Sequence, residues 1–159
     1  MLSKIMPLSR IVMILAVAAM VIGIVFIYQG VSKANMITGQ MREEGVSTSV
    51  YLGNASKPGD IIDSAAEAQQ AADRVREHRH SLAPNYAALG RYNPGNQTHL
   101  SYTQALNLEN YLYMGVFALG FTQAVTVIGV FMILVGIALL AVWAAIRKKK
   151  AAEVKVKST

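Results

Sequence analysis

Two stretches of this chain carry no charge at all. From Ile11 to Ser32 there are 22 residues without Asp, Glu, Lys or Arg, and from Asn110 to Ile146 there are 37. A helix needs about 20 apolar residues to cross the hydrocarbon of a bilayer, so each stretch is long enough to span one. Soluble domains carry roughly a quarter charged residues. With 15% charged and 53% hydrophobic over 159 residues, this chain does not read as an ordinary soluble domain. Residues 33–110 are what is left for water between the spans, 78 positions. That is room for one small domain and too little for a large enclosed active site.

The charge that is present sits on the tails. Residues 1–10 contribute +2 through Lys4 and Arg10, residues 33–110 sum to −1, and residues 147–159 contribute +5, which makes up the net +6. Basic residues beside spans stay on the cytoplasmic face. Both termini are therefore expected inside the plasma membrane and the middle segment outside, as an even number of spans requires. The run Arg147, Lys148, Lys149, Lys150 faces the anionic inner leaflet, where each basic residue near the surface contributes about 1 kcal/mol. The partner this charge implies is a lipid surface and not nucleic acid. A second reading of the N-terminus stays open. Lys4, Arg10 and the apolar run 11–27 have the order of a signal peptide, with Ser32-Lys33-Ala34 ahead of a cut. The run exceeds the roughly 7–15 residues of a signal core, which favours a retained anchor.

Small residues recur every seventh position in both spans. The first offers Ala16, Gly23 and Gly30; the second offers Gly115, Thr122, Gly129 and Gly136. Lipid gives helices no hydrophobic reason to associate, so close backbone approach at small residues matters more, and this spacing suits a left-handed crossing of about +20°. The two spans are expected to pack antiparallel along these seams, unless one seam serves another copy or a partner. At 1.5 Å per residue the 37 uncharged residues would reach about 55 Å, against ~30 Å of hydrocarbon. Counting back from Trp143 and the basic run places the outer boundary near residues 121–124. Residues from about Tyr102 to Gly120 then project outside as a helical stalk. An apolar stalk with Leu112, Val116, Phe117 and Leu119 needs cover from the loop, a second copy or a partner.

In the middle segment, the first helix is expected to continue to Glu44 and stop at Gly45. Residues 46–52 read as extended and 53–59 as loop. A helix is expected from Asp60 or Ile61 to about His80, with Asp60 as its cap. Asp63 and Glu67 fill its early turns, and Arg74, Arg76 and Arg79 its late turns, a polarity that suits the macrodipole. Ile61, Ala65, Ala68, Ala72 and Val75 form a modest apolar face that should lie against the stalk. Residues 81–97 read as loop, with a turn at Asn93-Pro94-Gly95-Asn96.

No constellation points to catalysis. The chain has no cysteine, which excludes disulfides, thiolate metal sites and thiol nucleophiles. His78 and His80 are two apart and lie on different faces of a helix, crowded by Arg74, Arg76 and Arg79; with His99 they read as packing and helix-end residues. No Walker loop, Gly-x-Gly-x-x-Gly or Gly-x-Ser-x-Gly motif occurs, and neither span holds an Asp, Glu, Lys, Arg or His of the kind that lines ion pathways. Asn54-Ala55-Ser56 and Asn96-Gln97-Thr98 match the glycosylation sequon, which has meaning only in a host that uses it.

The layout resembles a family of small uncharacterised bacterial two-span membrane proteins with a helical extracytoplasmic segment. Met41-Arg42-Glu43-Glu44-Gly45-Val46 is similar to that family's Gln-Leu-x-x-Glu-x-Ile stretch. Residues Ala68–His78 are similar to its Ala-x-x-Ala-x-x-Ile-x-x-His helix, and Asn85-Tyr86-Ala87-Ala88-Leu89 to its Thr-Tyr-Ala-Glu-Leu turn. Where members carry a Leu-Arg pair before the second span, this chain has Leu108-Glu109. Members are sometimes labelled aromatic ring-opening dioxygenases, but no histidine–carboxylate iron triad is visible here and the resemblance implies no established activity.

The expectation is an all-α membrane protein: two antiparallel transmembrane helices with a small, mostly helical extracytoplasmic cap. Its parts are a cytoplasmic tail (1–10), a first span (11–32), an extracytoplasmic segment (33–110), stalk plus second span (111–146), and a basic cytoplasmic tail (147–159). The expected role is non-catalytic, needing no metal or cofactor: an accessory or scaffold subunit that docks on a membrane-protein partner or forms a homo-oligomer. The alternative is an extracytoplasmic sensing or ligand-binding module, with a cavity lined by Tyr86, Tyr92 and Tyr102.

Overall fold

The computed structural model describes residues 5–46 and 61–157, and the described residues form helices joined by short turns. The extended reading of 47–52, the loop at 53–59, the Asp60 cap and the sequon at Asn54 lie outside them. In chain order the elements are α1 (Ile5–Glu43), α2 (Ala65–Leu82), a 3-10 turn (Tyr86–Leu89) and α3 (Gln97–Lys157). α1 and α3 are long and apolar enough to cross a membrane. The chain divides into two compact units, one of Met1–Val31 with Ala124–Thr159, the other of Ser32–Gln123.

Local chemistry explains where each helix begins and ends. Pro7 sits in the first turn of α1, where its missing N–H would have had no helical partner. α1 stops one residue short of the expected Glu44. Gly45, at φ +66°, reverses the chain while its N–H donates to Arg42 O (3.1 Å) and that of Val46 to Met41 O (2.9 Å). Those two bonds make a Schellman motif, and its apolar lock is present because Met41 and Val46 are buried in one cluster.

α2 begins later than the sequence reading placed it. Ser64 is the cap: its hydroxyl accepts from Glu67 N–H (3.3 Å), and the Glu67 carboxylate accepts from Asp63 N–H (3.1 Å). Ile61 therefore precedes the helix. Ser64-Ala65-Ala66-Glu67 has the Ser-x-x-Glu spacing of a capping box, a signal that outranks a lone Asp four residues upstream. The helix ends at Leu82 because Ala83 stands before Pro84, which pushes it into extended geometry (φ −161°, ψ 145°). The segment 81–97 is less loop-like than expected, since it includes the last turn of α2 and the 3-10 turn, which Asn85 caps through Ala88 N–H (2.9 Å). The expected turn at Asn93–Asn96 closes through Asn96 N–H to Asn93 O (3.1 Å). Asn96 then caps α3 by accepting from Thr98 N–H (2.9 Å).

In the second unit α2 runs back along α3. Its buried face is Ala68, Ala71, Ala72 and Val75, joined by Met41, Val46, Ile62, Ala105, Leu112 and Leu119. Alanine contributes little burial energy, so this contact depends on closeness. A Cβ on Gly115 would stand 2.5 Å from Met41 Cε and 3.9 Å from Ala68 Cβ, and one on Gly120 4.0 Å from Ala65 Cβ. Small residues facing small residues bring the two backbones together.

Candidate functional site

Three arrangements could carry function: the small-residue seam of the first unit, the polar contacts that fasten α2 to α3, and the basic end of α3.

Ala16, Gly23, Gly129 and Gly136 are buried in the first unit, and the last three have no room for a side chain. A Cβ on Gly23 would meet Gly129 O at 2.6 Å and Ile133 N at 3.1 Å; one on Gly129 would meet Gly23 O at 2.7 Å and Ile27 N at 2.9 Å. One on Gly136 would run into Met20 and stand 2.9 Å from Ala16 O. Backbone meets backbone here. Gly30 is buried as well. Gly115 and Thr122 belong to the second unit. There Gly115 receives Met41 and Ala68, and the buried Thr122 hydroxyl donates to Leu119 O (2.8 Å). The residues that close around the notches, Met20, Ile27 and Ile133, have no distinguishing spacing in an apolar run. Away from the seam the helices are bare: Ile24 is 61% and Phe131 62% exposed.

The sequence reading placed Arg79 among charges that complement the end of α2. The structure buries it. Its Nε donates to Glu109 Oε2 at 2.6 Å and its Nη2 to Oε1 at 3.4 Å, while Nη1 donates to the Tyr102 hydroxyl and the guanidinium lies 5.0 Å from the Tyr102 ring centre. The hydrogen bond to the Glu109 carboxylate raises the Arg79 pKa, so the guanidinium stays charged despite burial. Glu109 is the only Asp, Glu, Lys or Arg between Gln97 and Ile146. A solitary carboxylate on an otherwise uncharged helix face is the signal that could have revealed this pair. Six residues earlier on α2, Asp73 accepts from the Tyr113 hydroxyl (2.9 Å) and from Gln69 Nε2 (3.1 Å), and pairs with Arg76 (3.3 Å). Those hydrogen bonds, Gln69 first, hold the Asp73 carboxyl below its ordinary value. Burial, and then Asp73, pushes the Tyr113 phenol up.

The arrangement is a clasp between α2 and α3: Arg79 bonds Glu109 and Tyr102, and Asp73 bonds Tyr113 and Gln69. His99 is buried in the same role: Nε2 donates to Leu89 O (2.8 Å) and Nδ1 accepts from Asn93 N–H (3.3 Å), tying the turn region to the first turn of α3. His78 and His80 are exposed, and no metal-binding cluster of His, Asp and Glu forms among the described residues. Tyr102 is 1% exposed and packs beneath Tyr86, while Tyr92 lies against His99. A different groove, of about 530 Å³, opens between α2 and α3 beside Arg74, His78, Ser101 and Gln104.

Arg147, Lys148 and Lys149 are exposed and Lys150 is half-buried, all on α3, which continues as a helix to Lys157. The Arg147 guanidinium stands 5.1 Å from the Trp143 ring centre. No protein-family model, curated protein or solved structure matches this chain.

Proposed function

We propose that the chain is a two-pass membrane protein of the small bacterial kind it resembles, with both termini cytoplasmic and Ser32–Gln123 as an extracytoplasmic cap. Its spans are antiparallel, and its task is non-catalytic: an accessory or scaffold subunit that docks on another membrane protein or on copies of itself. The charge asymmetry of the sequence supports the orientation. The order of the seam contacts supports the antiparallel pair, because Ala16, Gly23 and Ile27 meet Gly136, Gly129 and Gly129 in turn.

One observation carries the docking role. Leu112 and Leu119 of α3 are covered within the second unit, yet Met114, Phe117 and Phe121 stay 71%, 76% and 61% exposed, with the two rings stacked at 6.3 Å. Spaced three and four apart, they form one apolar stripe on a helix whose other side is already packed. Contiguous apolar surface of this kind marks an interaction face.

Extraction in a gentle detergent followed by native mass measurement tests the reading. A complex with a partner or with further copies is expected, lost in Phe117→Gln/Phe121→Gln. A strict monomer with nothing bound would sink it.

A further inference from the structure

The first unit contains a groove of about 650 Å³ between the N-terminal turns of α1 and the C-terminal turns of α3. Ser9, Arg10 and Met13 line it from α1, and Trp143, Ile146, Arg147 and Lys150 from α3. Arg147 and Lys150 follow Trp143 at helical spacings of four and seven, so all three share one face. Arg10 brings a third cation from the other helix. Among the described residues no carboxylate pairs with any of the three. Glu153, the one acid near them, does not line the groove. Three like charges converging on one cleft repel each other until an anion enters. Apart from Ser9 the rest of the lining is apolar or aromatic, and the Trp143 ring under Arg147 restrains that guanidinium. Cations beside an apolar floor, at the end of two helices of bilayer-spanning length, match a headgroup above an acyl chain.

We propose that this groove binds one anionic glycerophospholipid, its phosphate held by Arg10, Arg147 and Lys150 and an acyl chain laid along Met13, Trp143 and Ile146. The proposal rests on the reading that α1 and α3 cross a bilayer. It differs from diffuse attraction of a basic tail to an anionic surface, because it assigns the binding to particular cations. Lys148 and Lys149, in the middle of the same run, face away from the groove. They are the natural control.

Trp143 is the only tryptophan, so its fluorescence reports on this groove alone. The full chain is reconstituted in phosphatidylcholine vesicles containing a minor fraction of acyl-brominated phosphatidylglycerol or of acyl-brominated phosphatidylcholine. At equal mole fraction the anionic lipid is expected to quench Trp143 more strongly. R10Q/R147Q is expected to weaken that preference about tenfold, and K148Q/K149Q, which removes the same charge from outside the groove, to weaken it severalfold less. Equal loss in the two variants would reduce the effect to surface charge and overturn the site. So would equal quenching by the two lipids, or recovery of fluorescence on adding inorganic phosphate, which would make the ligand a free anion. Quenching by neither lipid would remove the membrane reading itself, and the site with it.

Discussion

At the scale of single residues, the second unit adds a few buried polar contacts to its apolar cluster. The Arg79–Glu109 pair is buried, and an ion pair in that position can be neutral overall while being costly to break. Glu109→Leu alone should strand the guanidinium and destabilise the unit by about 3–5 kcal/mol, whereas Arg79→Met/Glu109→Leu should restore most of that loss. Denaturant unfolding in detergent, followed by protease susceptibility of α2, separates the two. Additive damage in the double variant would mean that the pair is not what holds the helices.

Asp73 and Tyr113 make the same contact sensitive to pH at both ends. The Asp73 carboxyl is lowered, so its contribution is complete above the ordinary carboxylate range and disappears as pH falls through the folded value. The Tyr113 phenol is raised, so the folded unit keeps that proton longer than the unfolded chain does. Its contribution is complete below the ordinary tyrosine range and is lost as pH climbs through the raised value. Tyr113→Phe should flatten the alkaline loss of stability and reduce the acid one, as read by amide exchange in α2. An alkaline limb unchanged by the substitution would acquit this phenol.

At the scale of elements, glycines of similar appearance do opposite things. Gly23 and Gly129 are notches where a neighbouring backbone oxygen fills the place of a Cβ, so Gly23→Ala should force the helices of the first unit apart. Gly39 lies within α1 with nothing inside 4 Å of its added Cβ. There Gly39→Ala meets no clash and should stabilise the helix by roughly 0.5–1 kcal/mol. Thermal unfolding of the two variants checks both signs. A stabilising Gly23→Ala would mean that the seam does not close in solution. The seven-residue spacing sets Gly23 and Gly129 apart from Gly39 along the chain, but the backbone atoms brought opposite them are visible only in the fold. Element ends were more legible. Gly45 marks the end of α1 by its left-handed φ, whereas α2 starts at the Ser64–Glu67 box and not at Asp60, because the reciprocal Ser–Glu bonds satisfy two N–H groups at once.

At the scale of the whole molecule, the proposed topology has a direct test, since the chain contains no native cysteine to confuse it. A single Ala88→Cys, at an exposed position of the 3-10 turn, should react with a membrane-impermeant thiol reagent in intact cells, and a cysteine at Lys149 only after permeabilisation. The reverse pattern would invert the orientation and with it the proposed role of the cap.

What the sequence determined unaided is whatever depends on neighbours along the chain. Two uncharged runs of spanning length, a basic tail, the glycine stop at residue 45 and the alanine face of α2 need no knowledge of distant residues. Tertiary structure alone decided which backbone atoms fill the glycine notches and that Arg79 is buried on a carboxylate 30 positions away. It also decided that Arg10 shares a groove with Arg147 and Lys150, and that Phe117 is left bare while Leu112 is covered. The physical reason is the same in each case. Desolvation, ion pairing and close packing are properties of what lies opposite a residue, and local pattern does not encode that.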